Sequence, residues 1–257
     1  MSENGAGYFS NAHDRTSADL VDRACRLWEA QRQAAARADV PRRAARAFTI
    51  ALSREAGTRA AATAKEVGER LGWHVYDQDL LEKIAQEMGL RTKLLKCVDE
   101  RQQSWLQETA EAFLSETVDS EWNPSISESS YVRHLVETVM ALGTHGECVI
   151  VGRGAAFILP AETTLRVRLT APVKARVAAL ADRLGTSASE AARRLRTIDR
   201  ERRDFVQDHF YKDPSEPSNY DLIVNTSRFS TAKTAELIVE GLHRLQAEVV
   251  RQGAARS

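Results

Sequence analysis

The stretch from Phe48 to Trp73 constrains this chain more than any other. It reads F-T-I-A-L, then S-R-E-A-G-T-R, then A-A-A-T-A-K-E-V-G-E-R-L-G-W. Phe48, Ile50 and Leu52 alternate with smaller residues, which predicts a short strand. Ala64, Val67, Gly68 and Leu71 fall at i, i+3, i+4 and i+7, which predicts an amphipathic helix. A polar turn containing Gly57 joins the two. A strand that feeds directly into a helix N-terminus makes an anion site, because the first N–H groups of the helix lack partners and its dipole adds partial positive charge. Phosphate is the natural guest; the alternative is a plain βα unit with a tight connection.

At 257 residues, with 43% hydrophobic and 28% charged, the chain can bury a sizeable core in one or two domains. Lysine plus arginine equals aspartate plus glutamate, 36 each. No global positive field favours DNA or RNA, so any anion binding must come from local clustering. Cys25, Cys97 and Cys148 are far apart and odd in number, which suits a reducing cytosol and gives no metal-ligand spacing. No apolar run is long enough to span a bilayer and the polar N-terminus is no signal peptide, so a cytoplasmic protein is expected.

Residues 1–46 read as an N-terminal helical extension, partly flexible. Ser17 caps a helix with Leu20, Val21, Ala24, Leu27 and Trp28 on one side; Pro41, Arg42, Arg43 and Arg46 follow. This helix either docks a partner or a second copy of the chain, or packs on the main domain. From about 47 to 250 strands and helices alternate, the pattern of an α/β domain with a mostly parallel sheet covered on both faces. Trp73–Tyr76 predicts a strand. A helix from Asp79 to about Met88 follows, with Gly89 as its stop. Asp77 orients a ligand, caps that helix, or does both. A helical insertion spans about 91–142, with a Trp105, Leu106, Thr109 and Phe113 stripe, a break at Asn123-Pro124-Ser125, and a helix from about Ser129 to Leu142 that carries Arg133.

Cys148 to Val151 form a continuous apolar run of the kind buried on both faces of a parallel sheet. Gly152-Arg153-Gly154 follows at its carboxyl end, where open α/β sheets bind ligands. Arg153 can present its planar fork to a phosphate, or sit in an internal salt bridge. Thr164–Thr170 predicts a strand. Pro172 opens a helix with Val173, Val177, Leu180 and Leu184 inward and Gly185 closing it. Ser187 or Ser189, with Glu190, starts an arginine-rich helix in which Ala192, Leu195, Ile198 and Phe205 lie inward and Arg196, Asp199 and Arg202 follow one another along the helix. Tyr220 to Asn225 predicts a last buried strand, and Ser230 caps a final helix.

Four dispersed motifs, S-R-E-x-G at Ser53, V-I-V-G-R-G at Val149, D-x-x-R-x-x-F at Asp199 and Y-D-L-I-V-N-T at Tyr220, stand in the order found in the cytidylate kinase-like family, a nucleoside monophosphate kinase branch of the P-loop kinases. From Phe48 to Leu245 the chain resembles that family. The resemblance implies a three-layer P-loop kinase-like fold with a lid at about 186–218. It implies phosphoryl transfer from ATP, with Mg2+, to a nucleoside monophosphate, CMP or dCMP first. Ser53, Arg54, Gly57, Thr58 and Arg59 would then hold the donor, with Arg59 standing in for the P-loop lysine. Asp77, Arg133, Arg153 and Asp199 would hold the acceptor, and Arg153, Arg202 and Arg196 would act on the group in transit. The chain departs from the pattern at the loop: Ala60 occupies the lysine position of a general P-loop and Ala61 the magnesium-binding hydroxyl position. A decayed loop of this kind also fits a non-catalytic nucleotide sensor or an interaction module.

Overall fold

The computed structural model describes residues 47–96 and 126–255, together with 19, 21, 22, 25, 26, 29 and 30. The centre of the molecule is β1 (Thr49–Arg54), whose first four residues are buried. It pairs in parallel with β3 (Cys148–Val151) on one side and with β4 (Thr164–Thr170) on the other. β2 (His74–Tyr76) adds to β3, and β5 (Leu222–Asn225) adds to β4. The sheet order is therefore β2-β3-β1-β4-β5, and every pairing is parallel.

The period of two along β1 separates two cores. Ile50 and Leu52 face α1 (Ala60–Leu71) and α8 (Thr231–Ala255), in a cluster with Ala60, Ala64, Val67, Ala235, Ile238 and Leu242. Ala51 faces the other side, where α2 (Gln78–Gln86), α3 (Met88–Lys96), α4 (Ile126–His145) and the one-turn helix α5 (Ala155–Ile158) supply Leu81, Leu94, Leu135 and Ala155. A smaller cluster of Ala56, Leu180, Ala191 and Leu195 joins the turn after β1 to α6 (Val173–Leu184) and α7 (Ala188–Phe210). The turn thus joins this cluster to the one that holds Leu52 and Ala60.

Several local signals act as the sequence indicates. Ser187 caps α7 by accepting the Glu190 N–H, Gly185 closes α6 in the left-handed region at φ 60°, and Asp77 caps α2 by accepting the Leu80 N–H at 3.0 Å. Others are corrected. Gly89 stops nothing: the chain leaves the helix at Glu87, and Gly89 lies inside α3. α4 is longer than the predicted Ser129–Leu142 segment. Val173 and Leu184 are exposed, because α6 buries only one narrow side against α7. β5 is an edge strand with Ile223 exposed, whereas a buried strand is predicted.

Of the N-terminal segment, Val21 and Cys25 are buried in the same cluster as Leu81 and Leu94, and Asp22 pairs with Lys93 of α3, which favours the packed alternative at these residues. Cys25 is disulfide-bonded, which its wide spacing from the other cysteines does not suggest, while Cys148 is a buried free thiol. The aromatic stripe of Trp105 and Phe113, the break at Asn123, and Leu20, Ala24, Leu27, Trp28 and Arg42, Arg43 and Arg46 lie outside the described residues.

The load on the central strands gives a direct test. Ile150 is fully buried between β1 and α4, two residues before the turn that carries Arg153. Truncation to alanine removes its packing and leaves a cavity, so Ile150→Ala is expected to lower unfolding stability by about 2–5 kcal/mol. Urea titration followed by circular dichroism measures it.

Candidate active site

The first wall of the site is the turn that leaves β1. Glu55 turns back into the protein: its carboxylate accepts from the Thr170 hydroxyl at 2.7 Å and the Ala171 N–H at 3.3 Å, and lies 3.3 Å from Arg176 and 3.7 Å from Arg168. Gly57 follows at φ 80°, and a Cβ there would come within 2.5 Å of the Arg176 carbonyl oxygen. Glycine is therefore required twice over, by the backbone angle and by the close approach. The Thr58 hydroxyl donates back to the Glu55 carbonyl at 2.8 Å and closes the turn.

Arg59 then caps α1 from the left-handed region, at φ 56°, with no side-chain hydrogen bond to the helix and no acidic residue in its first turn. That conformation costs a non-glycine residue on the order of 1–2 kcal/mol, and such residues cluster at ligand sites. The open helix end faces a cavity of about 870 Å³ lined by Gly57, Thr58, Arg59, Ala60 and Ala61.

The second wall is the end of β3. Gly152, Arg153 and Gly154 are all left-handed, at φ 84°, 49° and 72°. This run folds the chain back so that the Arg54 guanidinium lies against the Gly152 backbone; a Cβ at Gly152 would stand 1.7 Å from Arg54 Nη1. Arg54 Nη2 donates to Gln78 Oε1 at 3.1 Å. Arg153 pairs with Glu82 of α2 through Nη2, and its guanidinium carbon stands 4.7 Å from the centre of the Phe205 ring. Arg202 comes in from α7. Arg54, Arg153 and Arg202 line both the large cavity and a smaller one of about 170 Å³ that reaches Ser53, Arg168, Arg203, Phe205 and Ser215. The two hollows meet at these arginines.

Three guanidiniums meet at that junction, with Asp77, Asp79, Asp199 and Glu201 acting on them through space. Among the described residues neither Arg54 nor Arg202 forms an ion pair with a carboxylate. Burial pushes the Arg54 guanidinium down to about 9, with further lowering by the Arg202 and Arg153 charges. Arg202 and Arg153 are lowered as well, in each case mainly by burial. Arg153 Nε and Arg202 Nη1 are buried without any hydrogen-bond partner. A buried donor left unmade costs about 1–3 kcal/mol, more for a charged group. An anion bound in the shared space would offset the mutual repulsion of these guanidiniums.

The structure brings together Ser53, Arg54, Gly57, Thr58, Asp77, Arg153, Asp199 and Arg202 of the residues singled out from sequence. Arg59 lines the large cavity but is exposed, whereas Arg54, which lines it too, is partly buried. Arg133 and Arg196 are placed elsewhere: both are exposed and line neither of these two hollows. Asp199 has both carboxylate oxygens engaged by the protein, Oδ1 with the Ala56 N–H at 2.7 Å and Oδ2 with Arg176. Arg176, Gln78 and Glu82 escape the sequence reading. Arg176 carries no local signal, because it is an arginine on a helix of ordinary pattern that folding makes 7% exposed.

The residues present fit the phosphates of a nucleotide. They fit a protein-held magnesium poorly: Ala61 has no oxygen, Thr58 and Thr63 donate their hydroxyls to the Glu55 and Arg59 carbonyls, and no group of metal-ligating side chains occurs among the described residues. Gly152→Ala is expected to displace Arg54 and weaken pyrophosphate binding roughly tenfold or more, the loss of one charge-assisted contact. Calorimetric titration measures it, with circular dichroism checking that the fold is kept.

Residues 49–228 match the cytidylate kinase-like family. A cytidylate kinase from Methanopyrus kandleri is 30% identical over 102 residues, 36% of this chain and 53% of its own length. A uronate isomerase from Corynebacterium glutamicum is 31% identical over 93 residues, 36% of this chain and 18% of its own. The chain therefore spans about half of the first relative and under a fifth of the second. The crystal structure of an uncharacterized protein from Eubacterium ventriosum superimposes with a TM-score of 0.59 at 17% identity, covering 77% of this chain and 98% of that one, and so shares the fold. The matched span opens on the first residue of β1 and ends just past β5, taking in the whole sheet and both walls of the cavity; the chain belongs to the cytidylate kinase-like family.

Proposed function

We propose that the protein transfers the γ-phosphoryl group of ATP to a nucleoside monophosphate, with CMP or dCMP the first candidates. The observation that carries this reading is the pair of buried, unpartnered guanidinium donors, Arg153 Nε and Arg202 Nη1, at the seam between two hollows. Phosphoryl transfer asks little covalent chemistry of a protein and depends on positioning and charge neutralisation. The kinship to a protein named as a cytidylate kinase supports the acceptor class.

In this reading the Gly57–Ala61 main chain and the open end of α1 take the donor phosphates in the large hollow. Arg54 supplies the buried positive charge that Ala60 does not, in place of the exposed Arg59. The smaller hollow takes the acceptor, with Phe205 and Arg203 on its wall, while Asp77 lines the large hollow. An acceptor phosphate oxygen attacks the γ-phosphorus. The bond from that phosphorus to the β–γ bridging oxygen breaks, and ADP leaves. Arg153 and Arg202 face the oxygens of the group in transit. Magnesium, where the reaction uses it, would arrive on the nucleotide, and the chain's contribution is the cationic lining.

One observation favours a second reading, a nucleotide sensor without turnover: the position from which a P-loop aims a hydroxyl at a metal is Ala61, and the nearby Thr58 and Thr63 hydroxyls are committed to the Glu55 and Arg59 carbonyls. A coupled assay with ATP, magnesium and each of CMP, dCMP, UMP and AMP decides between the two. The kinase reading expects CDP or dCDP to form. Arg202→Ala is expected to lower turnover on the order of 10³-fold, as for loss of a transition-state arginine. Arg153→Ala is expected to lower turnover and also raise the acceptor KM. Absence of product with every monophosphate, combined with a rise in melting temperature on adding ATP, would replace it with the sensor.

A further inference from the structure

A lid aspartate with a free carboxylate is available to a substrate; Asp199 is not. Its Oδ1 accepts the Ala56 N–H at 2.7 Å, and its Oδ2 is bound by Arg176 Nη1. Arg176 in turn donates from Nε to the Ala171 carbonyl at 2.9 Å and from Nη1 toward the Ala56 carbonyl at 3.4 Å, and it lies 3.3 Å from Glu55. The Arg176 carbonyl oxygen is the atom that Gly57 packs against. One arginine, 7% exposed, thus touches the loop at Glu55 and Ala56 with its side chain and at Gly57 with its main chain, and holds α7 through Asp199.

We propose that Arg176 and Asp199 are positioning residues that latch the arginine-rich helix to the phosphate loop, so that the loop takes its binding shape only when α7 is seated. The proposal deepens the kinase reading and rests on it for its functional consequence. The geometry supports a latch more than a substrate contact because the charges are mutually spent: two carboxylates, Glu55 and Asp199, meet one buried guanidinium, while Arg202, one helical turn beyond Asp199, keeps a donor without a partner. Asp199 aims the helix, and Arg202 is what the helix delivers. A buried pair of this kind is costly to break on one side, because the remaining charge is stranded. Small misplacement of a positioned group is also enough to weaken binding and turnover together.

The two roles for Asp199 separate experimentally. Asp199→Asn keeps the shape and can still accept the Ala56 N–H, but gives up the charge that Arg176 needs. Arg176→Lys keeps a charge and gives up the fork. Glu190→Gln, which touches only the exposed Arg193 and Arg194 on the same helix, is the control. A latch predicts that Asp199→Asn and Arg176→Lys each weaken ATP binding in calorimetry roughly tenfold, as expected for a loosened phosphate loop. The factor should be the same whether CMP, UMP or no acceptor is present, with Glu190→Gln at the parental value. The double variant should be little worse than either single one, since the residues act as a unit.

A changed ratio of CMP to UMP turnover in Asp199→Asn with ATP binding unaltered would overturn the latch and make Asp199 a base contact. Unaltered ATP binding in both single variants would overturn it outright. Hydrogen exchange on the parent keeps the test independent of variant folding: a latched Ala56 amide exchanges as slowly as those of β1, and fast exchange overturns the proposal. If no monophosphate is phosphorylated, the kinase reading fails while the ATP titrations still decide the latch. If ATP does not bind either, the Ala56 amide decides it.

Discussion

Three half-buried guanidiniums, Arg54, Arg153 and Arg202, converge in this protein, where Asp77, Asp79, Asp199 and Glu201 act on them through space and ion pairing reaches only Arg153 among the described residues. Arg54 arrives on the central strand, Arg153 on its neighbour and Arg202 on the helix that closes over both. Among the described residues Arg153 alone of the three has an ion-paired acid, Glu82, and some further compensation from the Phe205 ring. A cation over an aromatic face contributes about 0.5–2 kcal/mol, less than the several kcal/mol that desolvating an ion costs. The fold must therefore hold this cluster in place by other means, and the remaining architecture can be understood as the means.

Those means are backbone devices and one ion network. The left-handed run at Gly152–Arg153–Gly154 gives Arg54 a flat surface to lie on, and the lack of a Cβ at Gly152 is what admits it. On the opposite side Glu55, Arg176 and Asp199 join three segments that are distant in sequence: the end of β1, the first turn of α6 and the middle of α7. The parallel sheet makes this possible. β1 and β4 run side by side, so their carboxyl ends, and the helices that follow them, converge on one rim.

Much of this was legible in the residues. Alternation along Thr49–Arg54, the apolar run Cys148–Val151 and the 3.6-residue spacing in Ala60–Leu71 report burial directly, and they yield the strands, the helices and the parallel class. Ser187, Gly185 and Asp77 carry cap chemistry that works through local contacts. The errors arise where a local signal competes with packing. Gly89 looks like a stop, yet helix α3 runs through it. Val173 and Leu184 look inward by hydropathy, yet α6 has neighbours on one side only. Arg133 and Arg196 are a separate matter: a linear pattern groups them with the site arginines, and in this structure both are exposed and line neither hollow.

Residue order by itself determined that this chain makes a mostly parallel α/β sheet with a strand–turn–helix opening, because apolar periodicity and turn glycines act over a few positions. Tertiary structure alone decided which arginines are ion-paired. A guanidinium's role depends on whether a carboxylate lies within reach, and carboxylates reach Arg176 and Arg153 from residues far away in the chain while missing Arg202. Coulomb interactions fall off with distance through space rather than along the chain, so which arginines find a carboxylate appears only when the segments have met.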